Sequence, residues 1–324
     1  VVGKRQDAFR RMSEELQLFD RGLLRRRRAR FAGEMAQHEF LLDRVASEVA
    51  DRIGAILRDF PRALDLGAYD GVLGRAVSAL PSVGQMIYAE SVPALAALCP
   101  RPCVVCDEEL LPFRDASFNL VVSGLALHRV NDLPGALIQI RRALCPDGLF
   151  IGAALGSRSL QELRNALIEA EAEQQGGASP HIAPFADVRE YGGLLQRAGF
   201  ALPVSDAEVL NVIYPAPRDL MREIRAMGGG NVLAARRKAP LPRRTLERAE
   251  EIYRTRHGTP AGRVVASFEI VHLSGWAPHA SQQKPAAPGS ATQRLAEALR
   301  TTEHAAGDKA AFPAVAKPKT KAGS

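Results

Sequence analysis

Five short apolar runs, alternating with helical patterns, decide what this chain can fold into. They are ALDLG (63–67), GQMIYAE (84–90), PCVVCD (102–107), FNLVVSGLAL (118–127) and LFIGAAL (149–155). Each has the length of a buried strand. A helix is predicted over 38–57, with Leu42, Val45, Val49, Ile53 and Ile56 at helical spacing and Pro61 as its stop. Further helices are predicted over 71–80 and 133–144. Strands alternating with helices require a parallel sheet covered on both faces, with right-handed crossovers. The expected fold class is α/β, a doubly wound, mostly parallel sheet with flanking helices.

Beyond residue 156 the pattern changes. Helices are predicted over 159–175, 187–199, 217–227 and 242–257, and strands over 203–213 and 263–276. GGASPHIAPF (176–185) reads as a loop. From 277 onward Ala, Pro, Lys, Gln and Ser dominate, which predicts a disordered basic tail with at most a short helix at TQRLAEALR. Three regions follow: a basic N-terminal helical arm (1–37), a folded domain (38–276) and the tail (277–324).

Charge separates the same regions. The net charge of +7 arises at the ends, with +6 in residues 1–30 and +4 in 277–324, leaving −3 for the middle. A domain with that balance has no basic footprint for nucleic acid. RRRR (25–28) reads as a solvated basic turn; contact with phosphates or anionic lipid head groups is the other use for it. No run approaches the roughly 18–20 apolar residues needed to cross a bilayer. Asp7, Glu14, Glu15 and Asp20 argue against a transit peptide, and no apolar h-region marks a secretory signal. A cytoplasmic protein is expected, although the start without Met leaves a processed form open. The cysteines 99, 103 and 106 lack a fourth ligand nearby, so reduced thiols and no metal site are expected.

The chemistry gathers at strand ends. In a doubly wound sheet, ligands sit beyond the carboxyl ends of the strands. Asp65 lies in the first strand. Gly67 allows a tight turn, and Gly71 a close backbone approach where the next helix starts and its N–H groups favour an anion. Glu90 ends the second strand, 19 residues past Gly71, the place for an acid that accepts from ribose hydroxyls. Asp107 ends the third, where an acid can accept from an adenine amino group. A dinucleotide loop would read G-x-G-x-x-G; GAYDG (67–71) preceded by Asp65 fits an S-adenosylmethionine loop better.

At these residues the chain resembles class I S-adenosylmethionine-dependent methyltransferases. More narrowly, it is similar to the family of the mitochondrial complex I assembly factor of methyltransferase fold and its bacterial relatives, itself related to the malonyl-carrier-protein methyltransferase of biotin synthesis. FDRGLLRRRRAR (19–30), LDLG (64–67), DEELLPF (107–113), FNLVVSGLALHRVNDLPGAL (118–137), PDGLFIGA (146–153), LGSRSLQELR (155–164), GGASPHIAPF (176–185), RAGF (197–200), SGW (274–276) and PGSAT (288–292) carry the resemblance. It implies a Rossmann-like sheet of the methyltransferase type and S-adenosylmethionine as cofactor. It also implies that Asp65, Gly67 and Gly71 frame the methionine end, Glu90 the ribose, and Asp107 with Glu108 the adenine. Leu127 and His128 would follow strand four beside the reacting centre. The partner implied is a protein substrate, a respiratory complex I subunit; in the human assembly factor the reaction is linked to arginine hydroxylation. A mitochondrial matrix location is the corresponding alternative to the cytoplasm.

Two departures bear on activity. Tyr69 stands where the family has a glycine, so either the backbone turns differently or the ring lies over the cofactor and weakens it. Arg129 follows His128 where the family commonly has an aromatic residue. His128 reads as a base, a substrate contact or a buried structural histidine, and His181 as a closing group or a loop anchor. Three functions stay open: a methyltransferase-like enzyme acting on a protein in complex I assembly, a malonyl-carrier-protein or small-acid O-methyltransferase, and a non-catalytic assembly module with a degenerate loop.

Overall fold

The apolar runs become the strands of one sheet. The structure, a computed structural model, describes residues 17–283 together with 297, 300 and 301. The chain divides into two units, Val1–Ala280 and Ser281–Ser324, and the fold is that of the first. Among the described residues the first helix is α1 (Arg21–Phe31), capped by the Asp20 carboxylate, which accepts from the Leu23 N–H. Then come α2 (Phe40–Gly54), β1 (Phe60–Leu66), α3 (Val72–Ser78), β2 (Val83–Glu90), α4 (Pro93–Ala96), β3 (Cys103–Val105) and β4 (Phe118–Gly124). The chain continues through α5 (Leu133–Ala143), β5 (Leu144–Leu155), α6 (Gln161–Gln175), α7 (Val188–Arg197), β6 (Ala201–Tyr214), α8 (Pro217–Ala226), α9 (Arg243–His257) and β7 (Val264–Trp276).

The strand order is β3-β2-β1-β4-β5-β7-β6. Pairings among β1 to β5 are parallel, whereas β7 runs antiparallel to β5 and β6 antiparallel to β7. This is the expected mostly parallel, doubly wound sheet, and its order switches between β1 and β4. Asp65 is level with Tyr88, and Glu90 with Val105, so the acidic ends of β1 to β3 come to one edge.

Period-two alternation sorts side chains onto two core faces. Ala63, Leu120, Val122 and Ile151 pack under α2, α3, α6 and α9. Leu64, Val121 and Phe150 pack under α5 and α7. The stripe predicted over 38–57 supplies Leu42, Val45, Val49 and Ile53 to the first face, each burial contributing about 1.5–3 kcal/mol. A smaller cluster of Phe19, Leu24, Val232 and Leu233 fastens the arm's helix to the segment after α8, where Asp20 N–H also donates to the Val232 carbonyl at 2.8 Å.

The arm therefore belongs to the same unit as the sheet, at least from residue 17. RRRR (25–28) is not the solvated turn the sequence suggests: it lies inside α1, and Arg28 is buried. At the other end, Ala277 still hydrogen-bonds with Gly148 and Asp147. Most of the tail helix expected at 292–300, the PGSAT segment and residues 1–16 of the arm fall outside the described residues. Among the described residues no helix is long and apolar enough to cross a membrane.

Candidate functional site

The turn after β1 is the part of the site most tightly specified by backbone geometry. Gly67 has φ +70°, and a Cβ there would lie 2.3 Å from that of Ala126, so only glycine fits. Gly71 has φ +95° at the start of α3. Tyr69 also adopts the left-handed region, with φ +55°. The backbone thus keeps the glycine-like turn, at a cost of about 1–2 kcal/mol for an L-residue. The Tyr69 ring is buried and does not point to solvent.

The amides of the turn are already engaged. Gly67 and Ala68 donate to the Ala89 carbonyl, and Gly71 to that of Ala68. Tyr69 N–H donates to Glu90 Oε2 at 2.8 Å, Val72 N–H to Asp70 Oδ1 at 3.2 Å and Gly74 N–H to Asp65 Oδ2 at 2.8 Å. At the helix start, where amides open to an anion are expected, Val72 and Gly74 donate instead to Asp70 and Asp65, and Gly71 to a backbone carbonyl.

Asp65 works from beneath the turn. It is fully buried, its Oδ2 ties α3 to β1, and its Oδ1 has no partner. Burial, against the Gly74 hydrogen bond and with Glu90 and Asp70 nearby, pushes its carboxyl up to about 7. Glu90 is equally buried and accepts from Tyr69 N–H, Val92 N–H and the Ser91 hydroxyl. Burial raises its pKa even though Arg28 and these amides oppose the shift.

Glu108 and Asp107 face α1. Arg21 donates to both carboxylates, and Arg25 Nη1 donates to Asp107 Oδ2 at 2.7 Å. Burial works against the charge on Asp107, but the Glu109 N–H and the two arginines outweigh it and hold its pKa below the usual value. Ser91 Oγ lies 3.3 Å from both Glu90 and Glu108 and joins the two acids. Tyr69, Glu90, Asp107 and Glu108 are thus brought together. Leu127 is not: its side chain packs with Leu64 and Leu66 in the core on the α5 face.

Arg28 is the residue that sequence reasoning missed. Its guanidinium stands 4.5 Å above the centre of the Tyr69 ring, and Nη2 donates to the Tyr69 hydroxyl at 2.8 Å. That hydroxyl donates onward to the Leu125 carbonyl at 2.7 Å. The nearest signal in the sequence is the arginine run itself, whose composition reads as a solvated turn.

Beside Tyr69 lies a cavity of about 80 Å³, walled by Leu42, Leu125, His128, Arg129, His181 and Phe185 among others. His128 follows β4 in a single 3-10 turn, Leu127–Arg129. Its ring meets Phe185 edge-on at 5.3 Å. Burial first, then the charges of Arg129 and Arg28, drive its pKa well below the ordinary value, so it is neutral. Nδ1 sits 3.5 Å from the Leu155 N–H, and Nε2 has no partner. Arg129 Nη1 donates to the Gly228 carbonyl at 2.9 Å and ties this wall to the segment after α8. His181 is an anchor: Nε2 is 3.0 Å from Glu171 Oε2, which also accepts from the Ser179 N–H. Glu171, through these contacts and one from the Ser179 hydroxyl, holds the loop 176–185 against α6.

The donor set suits a nucleoside carrying an amino-acid end. Buried acids at 90 and 108 can accept from hydroxyls and amines, and Arg28 has unused N–H groups, its Nε among them. Away from the cleft, Glu48, Glu208 and His272 bring ligand atoms within 4.8 Å of one another, but Arg44 already pairs with both glutamates.

A parallel sheet with this turn and these strand-end acids defines a methyltransferase-type Rossmann-like domain. The family model described as "Methyltransferase domain" matches residues 64–152. A putative methyltransferase from Bacillus halodurans has the same fold, with a TM-score of 0.50 at 14% identity over 72% of this chain and 98% of that one. The chain is 41% identical over 289 residues to human "Arginine-hydroxylase NDUFAF5, mitochondrial", covering 87% of this chain and 83% of that protein. It is 33% identical to the "Malonyl-[acyl-carrier protein] O-methyltransferase" of Halorhodospira halophila, covering 81% and 90%. The chain belongs to the family that includes the NDUFAF5 arginine-hydroxylases and related methyltransferases.

Proposed function

We propose that this protein is an S-adenosylmethionine-dependent enzyme of the methyltransferase type, acting on a protein substrate in respiratory complex I assembly. The observation that carries this reading is identity of 40% and 41% with two NDUFAF5 proteins, over 89% and 87% of this chain. When bound, the cofactor supplies a methyl group activated on a sulfonium. The residues of this chain supply alignment and exclusion of water. Glu90 would hold the ribose end and Asp107 with Glu108 the base, while Phe185 and Leu125 give the cavity apolar walls. Neutral His128, with Nδ1 toward an amide, presents Nε2–H to an acceptor and serves as a hydrogen-bond donor, a poor base at its lowered pKa.

The malonyl-carrier-protein reading has support from the 33% identical relative. A carboxylate acceptor needs no general base, which suits His128 equally well. One experiment separates the readings. The purified protein is incubated with S-adenosylmethionine and either a complex I subunit extract or a malonyl-carrier protein. Mass spectrometry then reads which acceptor changes and whether it gains a methyl or an oxygen. Gain of oxygen without methyl would overturn the transfer reaction and keep the protein substrate.

A further inference from the structure

Three hollows meet at Asn231. It lines the cavity beside Tyr69, and it also lines two outer hollows. One, of about 360 Å³, is walled by Arg27, Arg30, Phe31, Arg225 and Gly230 together with it. The other, of about 290 Å³, is walled by Arg27, His181, Arg237, Lys238 and Leu241 among others. Each is several times the 80 Å³ of the inner cavity, so they admit a chain segment where the inner cavity admits a side chain.

The outer walls are of one sign. Among the described residues they hold five cations, Arg27, Arg30, Arg225, Arg237 and Lys238, and no carboxylate. Arg237 pairs with Glu171 at 3.4 Å, and nearby Arg236 with Asp20 at 3.2 Å. The other four of the five have no carboxylate within 4.0 Å among the described residues. Burial first, then the charges of Arg236, Arg225 and Arg30, lowers the Arg27 pKa against the pull of Asp20, so the cations here repel one another. The frame that gathers them is fixed. Arg27 Nη1 donates to the Asn231 carbonyl at 2.7 Å, and Asn231 Nδ2 donates to the Pro180 carbonyl at 2.8 Å. These bonds lock α1, the loop 176–185 and the segment after α8 together around the hollows. Like charges held round a concave surface focus their field outward and favour an anionic partner. A bilayer is a poorer match, because it is flat and interfacial binding needs apolar anchors. None of the large apolar side chains that are exposed lines either hollow.

We propose that the two outer hollows are a docking surface for an acidic segment of the protein substrate, a stretch of Asp and Glu side chains flanking the residue that enters the inner cavity. The proposal rests on the reading above of the inner cavity as the place of the acceptor. On this account Arg27, Arg30, Arg225 and Lys238 select the substrate by its flanking charge and set which residue reaches the cavity.

The test uses the full chain and a fluorescent octaglutamate peptide, with binding read by anisotropy. The parent should bind the peptide, and the affinity should fall as salt rises. The variant carrying Arg30→Glu, Arg225→Glu and Lys238→Glu should bind at least about tenfold more weakly. A control with Arg62→Glu, Arg114→Glu and Arg189→Glu reverses three exposed charges elsewhere, changes the net charge equally, and should bind as the parent does. Lys238 is the only lysine among residues 17–283, so carbodiimide coupling followed by mass spectrometry reads the contact directly, and the peptide should couple to Lys238. No binding by the parent, equal binding by the parent and the hollow variant, or coupling confined to Lys4 and the lysines from 284 onward would overturn the surface. If phosphatidylserine vesicles bind the parent, fail to bind the hollow variant and are not displaced by the peptide, the surface belongs to a membrane and the assignment to an acidic segment falls. Calorimetry with S-adenosylmethionine keeps the two readings apart. All three proteins should take it up equally; a parent that docks the peptide but takes up none would overturn the cofactor reading and leave the docking surface in place.

Discussion

Tyr69 adopts a left-handed backbone that a glycine takes without strain, so its cost and its benefit can be compared. The left-handed conformation costs about 1–2 kcal/mol. The buried ring contributes more, because removing a large aromatic side chain from a packed site typically costs about 3–5 kcal/mol. Tyr69→Gly is therefore expected to lower stability by roughly 2–3 kcal/mol despite relieving the turn, as measured by urea unfolding. A gain in stability would show that strain dominates. Asp65 makes a second comparison possible. Its carboxyl is raised from 3.8 to about 7, chiefly by burial. A raised acid favours the folded state most fully below 3.8, and that contribution is lost as pH rises through about 7. Asp65→Asn keeps an oxygen for the Gly74 N–H and carries no charge. It should add about 1–3 kcal/mol at pH 8 and little at pH 4. Denaturant titrations at the two values read the difference directly, and an equal effect at both would argue against a raised pKa.

At the scale of elements, α1 is a load of positive charge set into an acidic cleft. Arg21 neutralises Glu108, which is almost wholly buried, together with Asp107. Arg21→Ala should cost about 3–5 kcal/mol, because it leaves a buried carboxylate uncompensated. Arg26 lies on the same helix outside the described ion pairs, and Arg26→Ala should be near neutral by comparison in the same unfolding assay. The loop 176–185 depends on one acid of α6. Burial works against the charge on Glu171, but the Ser179 N–H, His181 and the Ser179 hydroxyl outweigh it and hold the carboxyl at about 2. A depressed acid stabilises above its unfolded value of 4.5, and this is lost as pH falls toward 2. Hydrogen exchange over 177–185 should therefore accelerate between pH 4.5 and 2, once the intrinsic rate is corrected. In Glu171→Gln the loop should already exchange fast at neutral pH, with no acid transition left; unchanged protection in that variant would assign the anchoring elsewhere.

For the whole molecule, the arm, the turn and the loop 176–185 all belong to the first unit, so a ligand that engages them should stabilise the fold as one. At a hundredfold excess over its dissociation constant a ligand adds about 2.7 kcal/mol. For a unit of this size that is a rise in melting temperature of roughly 5–10 °C. Calorimetric scans with and without S-adenosylhomocysteine check this, and an unmoved transition at saturating ligand would count against binding to the folded cleft. The same scale shows where sequence reasoning succeeded and failed. Asp65, Glu90 and Asp107 were legible because strand ends are set by local apolar length, and an acid at such an end is conspicuous. The partner of each acid was not legible. Asp65 serves α3 and not an open cleft, and Asp107 faces two arginines. Leu127, chosen by its place after strand four, turns into the core because the residue before it and the one after it point the other way.

By itself the sequence determined the alternation of strands and helices, hence the doubly wound parallel sheet, and the positions of its strand-end acids. Those follow from periodicity within a dozen residues, where the chain's own geometry decides which side chains share a face. Only the tertiary structure decided what the arginine run does. Arg28 and Tyr69 are 41 residues apart, and Arg21 and Glu108 are 87 apart. Such pairs are set by how α1 packs on Val232 and Leu233 and by the need of buried acids for compensating charge. No local pattern separates an arginine that faces water from one that is carried into a cleft.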